Sequence, residues 1–304
     1  MALTIKHNGK DITAGVELSR CLLYDRYGGM LDSLSLEFPE GITKFDFYRY
    51  DEIEVTGDTY KSGTMYIDEC EFSSGKYSIN AISFKQKNKQ KRSGIWKNVK
   101  LLQIAKDIAK ECGLELKTYG VTDFTYEALS RVDETGLQFL SRICRREGYS
   151  IKCDNGKLII FNNRMIENDA TPLELKPTDI DPSYWFKRQT NGLSNVTLRF
   201  YNQQTGLIEH SATDEDVDGG TEVITERVKD LSEALRFATG RLRQANENYI
   251  VGQIKMDFSP ATSAGTVLLM KEFGEFSGKY VVYEAVHDIV NEKTYLKIRG
   301  TLKY

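Results

Sequence analysis

Apolar and polar positions alternate with two different periods along the chain, and the changes of period divide it into three. Residues 1–93 carry the period of two. LTIKHNG, SRCLLYD, LDSLSLEF, KFDFYRYDEIEVTGD, YKSGTMYIDECEF and YSINAISFK are rich in β-branched and aromatic residues. Turn signals at Asn8-Gly9, Gly28-Gly29 and Gly57-Asp58 separate them, which is the signature of short strands. In the third run Leu31, Leu34 and Leu36 stand against Asp32, Ser35 and Glu37, with one break in register. Many short strands at this spacing predict a sandwich or a barrel.

A basic stretch, KQKNKQKRSG at 85–94, has no apolar anchor and reads as a solvated connector. The period then lengthens. Leu101, Leu102, Ile104, Ala105, Ile108, Ala109 and Cys112 make a helical stripe, with Asn98 as the expected N-cap and Gly113 as the stop. The pattern recurs: Leu137, Leu140, Ile143 and Cys144 share a helical face that Gly148 ends. YSIKC and KLIIF then predict a hairpin across Asp154-Asn155-Gly156. Residues 94–168 therefore read as a small α/β module of two helix–strand units.

Residues 169–304 open with a Pro-bearing connector, NDATPLELKPTDIDP, and return to the period of two at Val196, Leu198 and Phe200. One helix follows, at about 230–246. Asp230 and Glu233 suit a capping box, and Leu231, Ala234, Leu235, Ala238, Leu242 and Ala245 form its expected apolar face. YIVGQIKMDFS, GTVLLMKEF, GKYVVYEAVHDIV and KTYLKIRGTLKY close the chain as strands. The fold class expected is α+β, mainly β.

Composition narrows the chemistry. The 304 residues carry a formal charge of −3, so no overall basic field exists to hold nucleic acid. Five cysteines (Cys21, Cys70, Cys112, Cys144, Cys153) lack CxxC spacing and read as small buried or half-buried thiols of a reducing compartment. The first residues lack the apolar core of a secretory signal, and no apolar run approaches the ~20 residues that span a bilayer.

TDEDVDGG is the most pointed candidate site. Asp214, Asp216 and Asp218 alternate and Gly219 follows, as at the start of an EF-hand loop. The twelfth position should be a bidentate Glu but is Thr225, with Glu226 one residue late, and a strand stands where the first helix belongs. The reading is an acidic loop that joins a strand to a capped helix, without a metal. His7 and His210 fall at turn-like or exposed positions, and His287 sits in a strand as a packed residue. No HExxH, GxSxG or GxGxxG is present; GEFSGKY lacks the length and the following helix of a P-loop. No catalytic, cofactor-binding or metal-binding residue is assigned.

One segment resembles a known family. In VDETGLQFLSRICRREGYSIKCDNGKLIIF, the residues Asp133, Glu134, Phe139, Leu140, Gly148, Tyr149 and Gly156 match the late control protein D family of phage tail hubs. That family is related in fold to the hub of contractile baseplates and to the hub part of type VI secretion spike proteins. Gly278, Tyr280 and His287, after the Ala- and Arg-rich helix, match its C-terminal pattern. The likeness spans roughly 95–302, and its motifs are structural.

The resemblance implies two tail-tube-like β-barrel domains with the α/β module between them. It implies a non-enzymatic trimeric ring that adapts a sixfold tail tube to a threefold spike. The expected partners are two further copies, the tube protein, a spike on a separate polypeptide, other baseplate proteins and the tape measure protein. No cofactor, specific nucleic-acid binding or membrane segment is expected, and the place is the baseplate of a virion or tail-like particle, TDEDVDGG facing its lumen. Two other classes stay open: a tail-borne wall-degrading enzyme with a pair of acids in a groove, and a carbohydrate-binding β module with Trp96 and Trp185 exposed on one face. Trp185 itself is expected in the core or at an interface.

Overall fold

The computed structural model describes residues 3–28, 31–39, 46–85, 90–168 and 171–304. It is mainly β, with four α-helices: α1 (Leu101–Cys112), α2 (Gly136–Arg146), α3 (Asn163–Glu167) and α4 (Leu231–Asn246). The strands fall into one large sheet and three small ones.

The large sheet contains both the first and the last β regions. Strand Arg20–Arg26 pairs with Ser33–Pro39 on one side and with Gly278–Asp288 on the other. The hydrogen-bonded path thus runs without a gap from Trp185–Arg188, at one end, to Lys10–Asp11 at the other. Among the described residues none of the sheets closes on itself through these pairings, so the two closed barrels expected from the resemblance are not seen there. The reason is local. Gly278–Asp288 is eleven residues long and spends its edge at Glu284–Asp288 on the N-terminal region instead of on its own.

Two apolar cores lie along this sheet. The N-terminal one gathers Ile5, Leu34, Leu36, Phe38, Ile53, Val55, Ile67 and Ile79, the inward positions of alternating strands. In Ser33–Pro39 the alternation is complete, with Leu34, Leu36 and Phe38 buried. The break at Asp32 is explained, since this carboxylate is buried and bonded. The C-terminal core contains Leu268, Val282, Leu296 and Ile298. It also takes in Leu175 and Ile180 of the expected connector, where Leu173–Leu175 pairs in parallel with Val267–Met270.

The third core holds the helices. Ile104, Ala105 and Ile108 of α1 and Phe139, Leu140 and Ile143 of α2 pack together over the hairpin Tyr149–Asp154/Lys157–Asn162. Each fully buried Ile or Leu there contributes roughly 1.5–3 kcal/mol relative to exposure. Helix ends follow their residues. Gly113 is left-handed at φ 68° and stops α1. Thr135 accepts from the Gln138 amide while the Gln138 side chain accepts from the Thr135 amide, a complete capping box for α2. The same core takes in Ala234, Phe237, Ala238 and Leu242 of α4 and Val196 and Leu198 of the sheet Leu193–Asn202/Gly206–Thr213/Gly220–Ile224.

Two helix expectations need correction. Asn98 does not cap α1. It lies inside a strand, Arg92–Lys100, at φ 45°, and the N-cap is Lys100. This strand takes in the last three residues, 92–94, of the connector read at 85–94; residues 86–89 of it lie outside the described residues. The apolar face of α4 is also rotated. Leu231 and Leu235 are exposed, while Phe237 is buried together with Glu233, Arg243 and Asn246. Arg243 and Asn246 have partners on other elements that hold this face inward, while Glu233 is bonded by the Lys229 amide and Arg236 of its own segment.

Candidate assembly surfaces

Three polar clusters knit the parts of the chain together. At the first, Lys152 on the hairpin reaches two carboxylates of the N-terminal region. Its ammonium pairs with Asp25 and stands 3.2 Å from Asp32 Oδ2. Asp25 also accepts from the Ala264 amide at 3.0 Å, and Asp32 from the Arg26 amide at 2.8 Å. One ammonium thus serves two carboxylates, the buried Asp32 and the half-buried Asp25. Burial, with Asp25 beside it, pushes the Asp32 pKa up to about 7 against the pull of Lys152. Beside this cluster Glu284 accepts from Arg26 and Lys297; burial opposes its charge, and the two cations hold its pKa below the usual range.

The second cluster is more deeply buried. Glu167, at the end of α3, is 1% exposed and faces two arginines that are 4% exposed, Arg243 of α4 and Arg299 of the last strand. Arg299 Nη2 donates to Glu167 Oε1 at 2.7 Å, Arg243 Nη2 is in contact with the same oxygen, and the Leu302 amide donates to Oε2 at 3.1 Å. Arg243 Nη1 also donates to the Tyr304 carbonyl at 2.7 Å. Tyr27 closes the cluster, donating from its hydroxyl to Asn163 Oδ1 at 2.7 Å. A cavity of about 290 Å³ adjoins these groups.

The third cluster answers the question raised by TDEDVDGG. Asp214 is buried, and its Oδ2 accepts from Asn246 Nδ2 at 3.1 Å and from the Tyr304 hydroxyl at 2.8 Å. Its Oδ1 accepts from the Asp216 amide, and Asp216 pairs with Lys303 at 2.5 Å. The acids therefore tie α4 to the last residues of the chain. Gly219 has its own reason to be glycine: a Cβ there would lie 2.1 Å from the Gly192 carbonyl oxygen. A strand, Gly206–Thr213, precedes the loop and another, Gly220–Ile224, follows it. Among the described residues, no three His, Cys, Asp or Glu side chains gather as a metal site.

The remaining candidates scatter. His7 is half-buried, its Nε2 2.7 Å from Asp51 Oδ2, and His210 lies within Gly206–Thr213. His287 is buried with Nδ1 3.2 Å from Thr294 Oγ1, and burial lowers its pKa. The thiols of Cys21, Cys112, Cys144 and Cys153 are buried, whereas Cys70 is exposed, contrary to the expectation for all five. Among the described residues, no helix is long and apolar enough to cross a membrane.

The family-like residues are placed as structural parts. Glu134 receives Arg142 on both oxygens, at 3.0 and 2.8 Å, just before α2. Gly148 and Gly156 take the left-handed turns, and the Tyr149 hydroxyl accepts from the Thr122 amide at 3.1 Å. Tyr280 is buried and donates to the Phe276 carbonyl at 2.8 Å. Trp96 stacks on Phe139. Trp185, 49% exposed, is not a core residue; it stands on the end strand of the large sheet, so the two tryptophans sit on different sheets.

The fold has solved counterparts. The prophage MuSo2 43 kDa tail protein from Shewanella oneidensis superposes with a TM-score of 0.77 at 14% identity, over 98% of both chains. A tail protein from Neisseria meningitidis MC58 gives 0.77 at 14%, over 98% of this chain and 96% of that one. The Escherichia coli c3393 protein, a type VI secretion component described as similar to the T4 tail proteins gp27 and gp5, gives 0.62 at 9%, over all of this chain and 78% of the other. No family model and no curated protein matches the sequence. The chain has the fold of these tail proteins, and the resemblance seen in its helix–hairpin segment holds at that level.

Proposed function

We propose that this protein is the structural hub of a phage tail or tail-like particle, a trimeric ring between a sixfold tube and a threefold spike. The observation that carries the reading is the likeness to tail proteins over 98% of both chains. The internal organisation supports it. The first and last β regions of one chain are joined edge to edge at Arg20–Arg26 and Gly278–Asp288. Each chain then supplies two tube-subunit-like β regions, and three chains supply six under closed symmetry.

The parts of the ring have separate tasks in this reading. Residues 1–93 and 169–304 provide the two tube-like regions, and the module at 94–168 braces them through Lys152 and Glu167. A separate spike, the tube protein, other baseplate proteins and the tape measure protein are its partners, and the baseplate is its place. The buried acids and bases serve as structural ties, with no catalytic step.

The test is the solution mass of the full chain by light scattering, alone and co-expressed with a spike protein. The reading expects roughly 104 kDa from three 34.7 kDa chains. A chain that stays monomeric in both conditions would overturn it.

A further inference from the structure

Two of the backbone edges that the large sheet leaves open among the described residues stand out. Strand Trp185–Arg188 is hydrogen-bonded on one side only, to Ile250–Asp257. Strand Met65–Ser73 pairs along one side with Lys76–Ile82, but on the other side Glu52–Gly57 reaches only Met65 and Tyr66. Ile67 finds backbone partners in Tyr50 and Asp51, and past it the edge is open. The strand runs on with both faces in solvent, Phe72 being 71% exposed. Such an edge is a template for another strand.

The side chains on the two edges match. Successive residues of a strand point to opposite faces. On Trp185–Arg188, Phe186 packs into an aromatic cluster with Phe273 and Phe276, while Trp185 and Lys187 point to the other face and are exposed. On Met65–Ser73, Phe72 points to the face of Tyr77, while Glu69 and Glu71 point to the opposite face. Pairing the edges antiparallel with Phe72 opposite Phe186 sets Glu71 opposite Lys187 and Glu69 next along the same face. Cross-strand aromatic and opposite-charge pairs form in the same register, and a slip of one residue would destroy both.

We infer that the edge at Glu69–Phe72 of one copy docks on the Trp185–Lys187 edge of the next copy, so that the sheet continues from chain to chain around the ring. The inference rests on the trimeric reading above and names its contact. The two edges differ, so the contact is head-to-tail and must close by rotation.

The experiment is light scattering across a concentration series on four proteins: wild type, Glu69→Lys/Glu71→Lys, Lys187→Glu, and the three changes combined. An odd-numbered ring cannot alternate two variants, so the compensating charges are placed in one chain. The expected result is a wild-type trimer whose dissociation is raised at least about tenfold by either charge reversal. The combined variant should return to near the wild-type value. Circular dichroism melts confirm folding; if the double lysine variant unfolds, Lys187→Glu and its rescue by salt carry the test. Variants that trimerise as well as wild type would overturn the docking edge and leave the trimer standing. A wild-type chain that stays monomeric alone but trimerises with a spike would overturn the self-docking while sparing the hub.

Discussion

Helices α1 and α4 sit in the same core and are held there by different physics. Every buried residue of α1 is apolar or a thiol: Leu101, Ile104, Ala105, Ile108, Ala109 and Cys112. The buried face of α4 mixes Ala234, Phe237, Ala238, Gly240 and Leu242 with Glu233, Arg243 and Asn246. The first arrangement is non-directional and tolerates repacking. The second is directional: Arg243 must meet Glu167, and Asn246 must meet both Asp214 and the Leu193 backbone. Such contacts add geometric definition to the junction between the β regions. Removing one partner leaves a charge or dipole stranded in the core.

The sharpest way to break the comparison is at Glu167. Its replacement by alanine leaves Arg243 and Arg299 facing each other without the anion between them, and the expected loss is about 3–5 kcal/mol. Urea unfolding of the purified chain measures it. A loss under 1 kcal/mol would mean that the arginines find water in the adjoining cavity and that α4 does not depend on the cluster. On α1 the matching change is Ile104→Ala. It removes buried methyls without stranding a charge, and is expected to lose roughly 2–4 kcal/mol through transfer and cavity terms.

A smaller effect separates backbone contact from propensity. Gly240 lies in the middle of α4, where alanine would favour an isolated helix by about 1 kcal/mol. Here a Cβ would lie 2.0 Å from the Arg146 carbonyl oxygen at the end of α2. The helices must separate, so Gly240→Ala should destabilise by roughly 1–3 kcal/mol. A thermal melt that rises instead of falling would show the α2–α4 approach to be looser than this geometry.

Charge-built junctions should also respond to pH in a way that apolar ones do not. The Asp32 carboxyl has its pKa raised in the folded chain to about 7, so the folded state binds a proton that the unfolded state releases. Its contribution therefore favours the fold as pH falls from above 7 toward the ordinary carboxylate range, and is lost as pH rises through 7, at most about 1.4 kcal/mol per pH unit. His287 works the other way, because burial depresses its pKa and stability is lost as pH falls below its ordinary value. The difference between wild type and Asp32→Asn isolates the first effect. Unfolding midpoints compared between pH 5.5 and 8 should show a downward slope in the wild type that Asn removes; parallel curves would deny the raised pKa.

Much of the local structure was legible because its causes are local. The α1 stripe, the Gly113 and Gly148 stops and the Asn155-Gly156 hairpin each depend on residues within a turn or two. Strand Arg92–Lys100 was not legible. Its side chains are mostly exposed, so no alternation marks it, and its partner Thr125–Glu134 is supplied from some thirty residues away. The clusters were hidden for the same reason: Asp25 and Lys152 stand 127 positions apart, and Arg299 and Glu167 stand 132. The acidic run drew attention through its spacing, but Asp214 is buried by Asn246 and Tyr304, which no motif connects to it. Nor did the alternation of the β regions reveal that they share one sheet, since Glu284–Asp288 could have paired within its own region.

The rotation of α4 supplies the smallest effect and the cleanest control. A hydropathy pattern counts Leu231 and Leu235 as its core face and Glu233, Arg243 and Asn246 as its solvent face. The bonds to Glu167, Asp214 and Leu193 outweigh that preference, because an unpaired buried Arg or Asn would cost more than two leucines lose by staying wet. Leu235 is 42% exposed and Leu231 57%. Leu235→Ser should therefore change the stability of the isolated chain by no more than about 0.5 kcal/mol, the range of ordinary surface substitutions. Ala238→Ser, one turn away and fully buried, should cost more. If the two substitutions cost the same in urea unfolding, the helix is not rotated as described. If Leu235→Ser is silent in the isolated chain but weakens an assembled ring, the leucines belong to a surface that assembly covers, and the exposed edge of α4 has a reason to be apolar.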